Sequence, residues 1–336
     1  MRIGISGLGN IGKRHLELLS ALPPVDVVAA VEPRLGGDAS AAGMPLSVYG
    51  AFDEMLEKAS LDAVVIASPS GMHAEQGAAA AEVGVHVITE KPLATTMGAA
   101  ESLVAACASR GVRLAVVHQY RFHAPLVRLK KEIDGGALGK VVFLNVSLCW
   151  RRSTAYYAEN GGWRGTWKWD GGGALMNQGS HAVDLARWLV GPIATVTALT
   201  TNVVHAIEGE DTACVALEFA RGGLGMLQVT TCSSENRPAV VTIEGTEGAA
   251  VVRGEQLAVN GRPVELRSEH VRQVPLGNPH RLQFEAIFDA LANGERPPVA
   301  GDESRETLAA TLAMYESARS GRAIRVPESR LSSSAS

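Results

Sequence analysis

The first 120 residues alternate between short apolar runs and longer segments whose apolar side chains recur every three or four positions. Unbroken short runs are typical of buried strands, and the intervening segments are typical of helices. The predicted strands are Arg2–Ser6, Val25–Val31, Ser47–Tyr49, Ala63–Ala67, Val85–Thr89 and Leu114–His118. The predicted helices are Lys13–Leu22, Phe52–Ala59, His73–Glu82 and Met97–Arg110. This order predicts an α/β fold that opens with a doubly wound parallel sheet.

The pattern changes near residue 140, where strands separated by glycine-containing turns become frequent. They predict a mostly antiparallel open sheet. The predicted strands are Val141–Trp150, Ala194–His205, Thr212–Ala220, Gly225–Thr231, Ala239–Glu244, Ala249–Val252 and Leu257–Val259. Helices are predicted at Asn177–Val190, Arg281–Asn293 and Glu303–Ser320, and a loop at Ser153–Gly173.

These patterns divide the chain into a first domain over residues 1–120 and a second over 121–330, with a disordered serine-rich tail over 331–336. The last helices can pack back on the first domain. A length of 336 residues fits two domains of ordinary size.

Composition excludes several classes of function. The formal net charge is −4, so no basic excess favours nucleic acid or an anionic membrane surface as a partner. No apolar run approaches the roughly 18 residues of a membrane span, and the N-terminus lacks a signal-peptide pattern. We therefore expect a cytoplasmic protein.

The four cysteines are widely scattered, at positions 107, 149, 214 and 232. They form neither a CxxC pair nor a cluster with histidine at metal-ligand spacing. The sequence thus predicts buried free thiols, without disulfides and without a metal site.

A glycine-rich turn follows the first predicted strand and reads Gly7-Leu8-Gly9-Asn10-Ile11-Gly12. Between a strand and a helix, this GxGxxG pattern is typical of a dinucleotide-binding site: the first glycine allows the turn, the second admits the pyrophosphate, and the third permits close helix packing. The free N–H groups of the helix start attract the phosphates. Glu32 ends the next strand, twenty residues after Gly12, which is the spacing of a ribose-binding acid.

Glu32 also bears on the choice of dinucleotide. A carboxylate can accept both hydroxyls of the adenosine ribose and repels a 2′-phosphate, which favours NAD over NADP. Arg34 leaves NADP possible, because a guanidinium at that place can reach a phosphate.

Four further motifs follow in order along nearly the whole chain. They are Ser68-Pro69-Ser70-Gly71-Met72-His73, Glu90-Lys91-Pro92, Tyr120-Arg121-Phe122 with Pro125, and Gly171-Gly172-Gly173 leading through Asn177 to Gly179, His181 and Asp184. Together with the GxGxxG turn, they resemble the glucose-fructose oxidoreductase, inositol dehydrogenase and rhizopine-catabolism (Gfo/Idh/MocA) family. The stretch Gly301–Val326 resembles the closing helix and strand of that family.

The resemblance implies a Rossmann domain followed by an α/β domain with a large open sheet, whose packing usually forms dimers or tetramers. It implies an enzyme that transfers hydride reversibly at a secondary hydroxyl of a sugar, sugar acid, nucleotide sugar or cyclitol. It also places Ser68, His73, Glu90 and Lys91 near the nicotinamide half of the cofactor.

Catalysis of this kind needs a group that takes the hydroxyl proton. Asn177, His181 and Asp184 are spaced to share one helix face. We assign acid–base chemistry to His181, because imidazole titrates near neutrality, and orientation of its ring to Asp184. In the family the lysine equivalent to Lys91 contacts the reacting hydroxyl, and its ammonium can stabilise an alkoxide. Asn177 departs from the Asp that many members carry; it can bind a hydroxyl but cannot accept its proton.

The segment from Trp150 to Trp169 holds four of the five tryptophans, together with arginines and tyrosines. Such side chains stack on sugars and bind carboxylate or phosphate. We therefore name Trp163 and Arg164 as candidate substrate contacts, and add Tyr120 and Arg121 because they lie at the predicted domain junction. Packing roles are equally compatible with both patterns.

Two alternatives remain open at this level. One is an NADP-dependent reductase of a non-sugar carbonyl, similar to dihydrodiol dehydrogenases. The other is a dinucleotide-binding regulator without catalysis; the presence of both Lys91 and His181 argues against it.

Overall fold

The computed structural model describes residues 1–35, 46–266 and 278–327. The chain forms two compact units. The first comprises Met1–His118, Lys168–Gly171 and His280–Arg305; the second comprises Gln119–Trp167, Gly172–Pro279 and the residues from Glu306 onward. The division predicted at residue 120 placed residues 168–171 in the second domain, whereas the structure groups them with the first unit. Residues 280–305 also belong to the first unit, in keeping with the expectation that the last helices can pack back on the first domain. The predicted tail, 331–336, lies outside the described residues.

The secondary structure of the described residues is as follows. The strands are β1 (Arg2–Ser6), β2 (Asp26–Val31), β3 (Ser47–Tyr49), β4 (Ala63–Ile66), β5 (His86–Glu90), β6 (Leu114–Val117), β7 (Val141–Cys149), β8 (Ile193–Thr201), β9 (Thr212–Phe219), β10 (Leu224–Thr230), β11 (Val240–Gly245), β12 (Ala249–Arg253), β13 (Gln256–Val259), β14 (Arg262–Pro263) and β15 (Ile324–Arg325). The helices are α1 (Asn10–Ser20), α2 (Phe52–Lys58), α3 (His73–Glu82), α4 (Met97–Ser109), α5 (Ala124–Asp134), α6 (Thr154–Ala158), α7 (Ala174–Asn177), α8 (Gly179–Val190), α9 (Pro279–Ala292) and α10 (Gly301–Ser320).

The first unit is built on a parallel sheet with the strand order β3-β2-β1-β4-β5-β6. All four residues of β4 are buried, as expected for a strand covered on both faces. The strand order reverses between β1 and β4. In doubly wound sheets, ligands bind beyond the carboxyl ends of the strands at such a reversal.

Helix α9 packs on this sheet although it lies far away in sequence. Its Phe284, Ile287 and Phe288 join one buried core with Ile3 and Ile5 of β1. The backbone of Val116 in β6 also donates to the carbonyl of Val299 at 2.9 Å. The late segment 280–305 therefore completes the first unit.

The second unit contains a mixed sheet with the order β14-β13-β12-β11-β7-β10-β9-β8-β15. β10 and β7 run parallel, and the other pairs are antiparallel. Along strands such as β9 and β10, every second side chain is buried in a core on one face of the sheet, and α8 packs against β7 and β10. The remaining side chains of these strands point outward from the other face of the sheet. The fold class predicted from the sequence is thus confirmed.

Three local predictions need correction. The first helix begins at Asn10, directly after Gly9, rather than at Lys13. The predicted loop at 153–173 contains α6. The strand predicted to run to His205 ends at Thr201, because the Asp211 carboxylate accepts the backbone N–H groups of residues 203, 204 and 205 and so turns the chain away.

The cysteines are all free, as predicted, but they are not all buried. Cys107 is buried, Cys149 and Cys232 are half-buried, and Cys214 is exposed. Cys214 lies on β9 between the inward-facing Ala213 and Val215, so the alternation of the strand turns it outward.

Candidate functional site

The turn after β1 has the geometry that a dinucleotide needs. Gly7 has φ = 90°, a left-handed conformation that glycine adopts without strain. A Cβ atom on Gly12 would lie 1.8 Å from the carbonyl oxygen of Gly7, so only glycine fits there. A Cβ atom on Gly9 would meet nothing within 4 Å. The space above Gly9, together with the start of α1 over Asn10 and Ile11, therefore suits a pyrophosphate.

Glu32 is placed directly after β2 at the same edge of the sheet. One of its carboxylate oxygens accepts the N–H of Leu8 at 3.1 Å, which connects it to the glycine turn. Arg34 donates to both oxygens at 2.7 Å, and this bond lowers the pKa of Glu32 despite its burial. The Arg34 side chain is 55% exposed, so it can leave Glu32 without breaking core packing.

The loops after β4 and β5 are joined by His73. Its Nδ1 atom lies 2.8 Å from the carbonyl oxygen of Pro92, and its Nε2 atom lies 3.0 Å from that of Ser68. Burial lowers the pKa of this imidazole, whose two carbonyl contacts oppose that effect. The ring is thus engaged in holding two loops together, which indicates that His73 positions the predicted site rather than reaching into it.

Gln76 in α3 was not predicted as a site residue, but it forms hydrogen bonds at the same edge of the first sheet. Its side-chain carbonyl accepts the hydroxyl of Ser6 at 2.9 Å and that of Ser68 at 2.8 Å. It therefore connects the ends of β1 and β4. Gln76 is the fourth residue of the predicted helix His73–Glu82, and nothing in its local pattern distinguishes it.

Lys91 follows β5 with Glu90 buried beside it. The Lys91 backbone N–H donates to Glu90 Oε2 at 3.2 Å, and His15 Nε2 lies 2.7 Å from Glu90 Oε1. Although burial raises the pKa of Glu90, the hydrogen bond and charge of His15 lower it to about 2. Glu90 is therefore a carboxylate that supports the lysine from within the first unit.

In the second unit, Asn177 closes α7 and His181 and Asp184 lie in α8. Gln178 between the two helices keeps helical angles, with φ = −80° and ψ = −40°, so the three residues fall along one face. His181 is 6% exposed, and the rings of Tyr120 and Trp150 meet it edge-on at 5.0 and 6.5 Å between centroids. Two aromatic rings therefore flank the His181 imidazole.

Asp184 forms a bidentate ion pair with Arg121, at 2.9 and 2.7 Å. The hydroxyl of Thr307 in α10 also donates to Asp184 at 3.3 Å. The two charged side chains are 1% and 10% exposed. This geometry gives the pair a structural role in the second unit, beside the predicted roles in orienting His181 and in binding substrate, which stay predictions.

The segment from Trp150 to Trp169 places two guanidinium groups on one tyrosine. Arg152 and Arg164 lie 5.2 and 4.3 Å from the ring centroid of Tyr156. The tyrosine hydroxyl accepts the amide of Gln178 at 3.2 Å, and the same amide donates to Asn177 Oδ1 at 3.3 Å. We call Trp150, Arg152, Tyr156 and Arg164 the cationic cluster. It connects positive charge to the helix face that carries Asn177.

Within the cluster, Arg164 is committed to the loop itself. It donates to the carbonyl of Tyr156 at 2.9 Å, stacks at 5.1 Å on Trp163, and its side chain is 9% exposed. Arg152 is half-buried, stacks on Trp150 at 5.3 Å, and donates to the carbonyl of Arg151 at 3.0 Å and to Asn236 Oδ1 at 3.2 Å. Because these hydrogen bonds are solvent-exposed, whereas that of Arg164 is partly buried, Arg152 is the better candidate for meeting an anion. It was not among the predicted substrate contacts.

A buried carboxyl group supports the start of α7. Glu210 accepts the N–H of Leu175 at 2.6 Å and the hydroxyl of Tyr315 at 3.0 Å, and Tyr315 also accepts the N–H of Gly173 at 3.1 Å. Burial raises the pKa of Glu210 to about 7. A Cβ atom on Gly173 would lie 1.8 Å from the carbonyl oxygen of Glu210, so only glycine fits at position 173.

The described part of the chain contains no group of three or more His, Cys, Asp and Glu side chains placed to hold a metal ion. Over residues 1–35, 46–266 and 278–327, no helix combines the length and the apolar character needed to cross a bilayer.

Comparison with known proteins decides the family. Residues 1–118 match the model of an oxidoreductase family with an NAD-binding Rossmann fold, and residues 126–251 match that of the GFO/IDH/MocA C-terminal domain. The chain belongs to the Gfo/Idh/MocA family. It is 30% identical to D-xylose 1-dehydrogenase (NADP(+)) 2 of Haloferax volcanii, over 96% of this chain and 99% of that protein.

Two solved structures resemble this chain over nearly its whole length. The WlbA dehydrogenase from Bordetella pertussis, in complex with NADH and UDP-GlcNAcA, is 33% identical with a TM-score of 0.90, over 98% of each chain. The WlbA enzyme from Chromobacterium violaceum, in complex with the same two molecules, is 31% identical with a TM-score of 0.89, over 98% of this chain and 96% of that one. These relatives confirm the predictions of an NAD(P)-dependent oxidoreductase of the sugar-dehydrogenase type and of its cofactor.

Proposed function

We propose that this protein oxidises a secondary hydroxyl of a nucleotide-linked sugar acid, with NAD as the hydride acceptor. The observation that carries the proposal is the cationic cluster beside Asn177, since it supplies positive charge for an anionic sugar. The two relatives bound to NADH and UDP-GlcNAcA support the same substrate class.

The residues of this chain divide the chemistry as follows. Glu32 accepts the ribose hydroxyls of NAD, and the glycine turn receives its pyrophosphate. The bound nicotinamide supplies the hydride-accepting carbon. His181 takes the hydroxyl proton, the Lys91 ammonium stabilises the developing alkoxide, and Asn177 holds the hydroxyl by a hydrogen bond.

A substrate panel tests the proposal. NADH formation is followed with UDP-GlcNAcA and with UDP-GlcNAc, the matched compound whose sugar is uncharged, beside D-xylose, inositols, aromatic diols and dicarbonyls. We expect the highest kcat/KM for UDP-GlcNAcA. Arg152→Met should raise KM for UDP-GlcNAcA roughly 10- to 100-fold, the scale of a lost charged hydrogen bond, and should leave UDP-GlcNAc less affected.

Other outcomes of the panel contradict the proposal. Preference for D-xylose would favour a neutral aldose, the second candidate, which the 30% identical xylose dehydrogenase motivates. Turnover only of aromatic diols would favour the non-sugar reductase. Tight NAD binding without turnover of any substrate would favour a regulator.

The choice of cofactor gives a separate prediction. We expect NAD to bind more tightly than NADP, because the buried Glu32 carboxylate repels a 2′-phosphate. Glu32→Ser should reduce the ratio of NAD to NADP affinity by roughly 10- to 100-fold, since it removes charged hydrogen bonds to ribose. Titration of NADH and NADPH fluorescence measures both affinities.

Arg34 provides the control for that experiment. In the Glu32→Ser background, Arg34→Ala should weaken NADP binding and leave NAD binding nearly unchanged, because the exposed guanidinium is then the group available to the phosphate. A wild-type protein that binds NADP more tightly than NAD would contradict this assignment.

We also propose that two copies of the chain pair through the outer face of the mixed sheet. Phe143, Leu199, Leu224, Met226 and Val251 are exposed there. Their strands are linked by direct cross-strand partners, as between Leu224 and Phe143, so these side chains share one face. An outward sheet face with several exposed apolar side chains is typical of a subunit interface.

Sedimentation velocity tests the pairing. The wild-type protein should sediment as a dimer or tetramer, and Met226→Arg should shift it toward the monomer, because it places a charge in the apolar face. Val83→Arg is the matched control, as Val83 is an exposed apolar side chain of the first unit. A wild-type monomer at micromolar concentration would exclude this interface.

The free thiols and the use of NAD support a cytoplasmic location.

A further inference from the structure

Three histidines from three helices surround the segment Glu90-Lys91-Pro92. His15 in α1 lies 2.7 Å from Glu90, and His73 in α3 lies 2.8 Å from the carbonyl oxygen of Pro92. His280 in α9 lies beside His15, with 5.5 Å between ring centroids. His15 is fully buried, and the edge of its ring meets Phe284 at 5.0 Å. The packing therefore leaves the imidazole little freedom to turn.

The two oxygens of the Glu90 carboxylate have different partners. Oε1 faces His15 Nε2, and Oε2 accepts the backbone N–H of Lys91 at 3.2 Å. A carboxylate whose two oxygens are held by different partners is fixed in plane and in direction. His15 belongs to the helix that starts at the glycine turn, so one side chain connects that helix to the residue before Lys91.

We propose that His15 is a positioning residue: through Glu90 it fixes the backbone of Lys91 and keeps a negative charge beside that lysine. The proposal rests on the role of Lys91 in the proposed function. It assigns His15 no contact with substrate or cofactor.

The charge surroundings of Glu90 allow a specific test. The groups that face it are His15 from α1, His73 from α3, His280 from α9, and Lys91 itself, while Arg14 from α1 acts on His280. Burial raises the pKa of Glu90, whereas the His15 bond is the strongest of the effects that lower it, to about 2. Glu90 in the wild-type protein is therefore ionised throughout the range in which turnover can be measured.

Without the His15 donor, burial dominates and Glu90 should bind a proton at a much higher pH. His15→Phe keeps an aromatic ring but lacks the donor. We expect it to lower kcat roughly 10- to 100-fold, the scale of a misplaced catalytic group. We also expect a new acid limb in the pH profile of kcat, because kcat should fall where Glu90 binds a proton. This limb should lie at least about one pH unit above the pKa of Glu90 in the wild-type protein. NAD affinity, measured by NADH fluorescence, should change little.

His15→Gln is the matched rescue variant, because its amide can donate to Glu90 as Nε2 does. It should restore most of kcat and remove the new acid limb. A purely structural role for His15 predicts instead that Phe is tolerated as well as Gln, with coincident pH profiles, and that result would overturn the proposal.

Glu90→Gln decides the question if His15→Phe does not fold. It removes the charge while His15 stays in place, so kcat should fall into the same range and no acid limb from Glu90 should remain. Wild-type kcat in Glu90→Gln would overturn the proposal. Lys91→Ala, measured beside these variants, separates the proposed function from the positioning role of His15. Retained turnover in Lys91→Ala contradicts the proposed function. Lost turnover in Lys91→Ala, together with wild-type turnover in Glu90→Gln, contradicts only the role of His15.

Discussion

Lys91→Ala and His181→Gln are each expected to lower kcat by roughly 100-fold or more, the usual scale for lost acid–base or electrostatic catalysis. Gln keeps a hydrogen-bonding side chain at position 181 but cannot take a proton at neutral pH. Ala at position 91 removes the ammonium that the proposed mechanism places against the alkoxide. The measurement is NADH formation at saturating NAD and UDP-GlcNAcA.

Two controls make that result specific to catalysis. NAD affinity should fall much less than kcat in both variants, because the adenosine ribose and the pyrophosphate are assigned to Glu32 and the glycine turn. Lys58→Ala removes an exposed lysine of the first unit, whose side chain is 60% exposed, and should leave kcat at the wild-type level. Near-normal turnover in both the Lys91 and the His181 variant would remove this mechanism.

The sequence predicted most of the fold because the relevant signals are local. A buried parallel strand such as β4 needs only its own residues to be apolar, and the glycine turn after β1 carries its steric requirements in Gly7 and Gly12 themselves. The place of segment 280–305 was harder to predict. Its apolar residues show a helix, but helical periodicity does not say which sheet the helix covers.

The support of the candidate site could not be predicted in the same way, because it depends on partners distant in sequence. His15 and Glu90 are 75 residues apart, and Arg121 and Asp184 are 63 apart. A single histidine in a predicted helix gives no sign of the carboxylate that it meets. Helix spacing alone predicted that Asp184 orients His181, but it could not indicate that Asp184 also forms an ion pair with Arg121.

That pair leads to the second large effect. Asp184→Ala is expected to lower the free energy of unfolding by about 3–5 kcal/mol, because it leaves the buried Arg121 guanidinium without its bidentate carboxylate. Urea denaturation followed by tryptophan fluorescence measures this change. Four of the five tryptophans, at positions 150, 163, 167 and 188, lie in the second unit with the pair, so the signal reports on the right part of the chain.

The matched variant is the double substitution Arg121→Met with Asp184→Leu. Removal of both charges eliminates the desolvation of each, so the double variant should recover most of the lost stability, whereas either single substitution should not. Turnover of the recovered protein then separates the two roles considered for Asp184. A structural pair predicts that kcat returns together with stability. If the double variant is stable and kcat stays low, Asp184 or Arg121 acts on the chemistry directly, since packing alone would then have been restored.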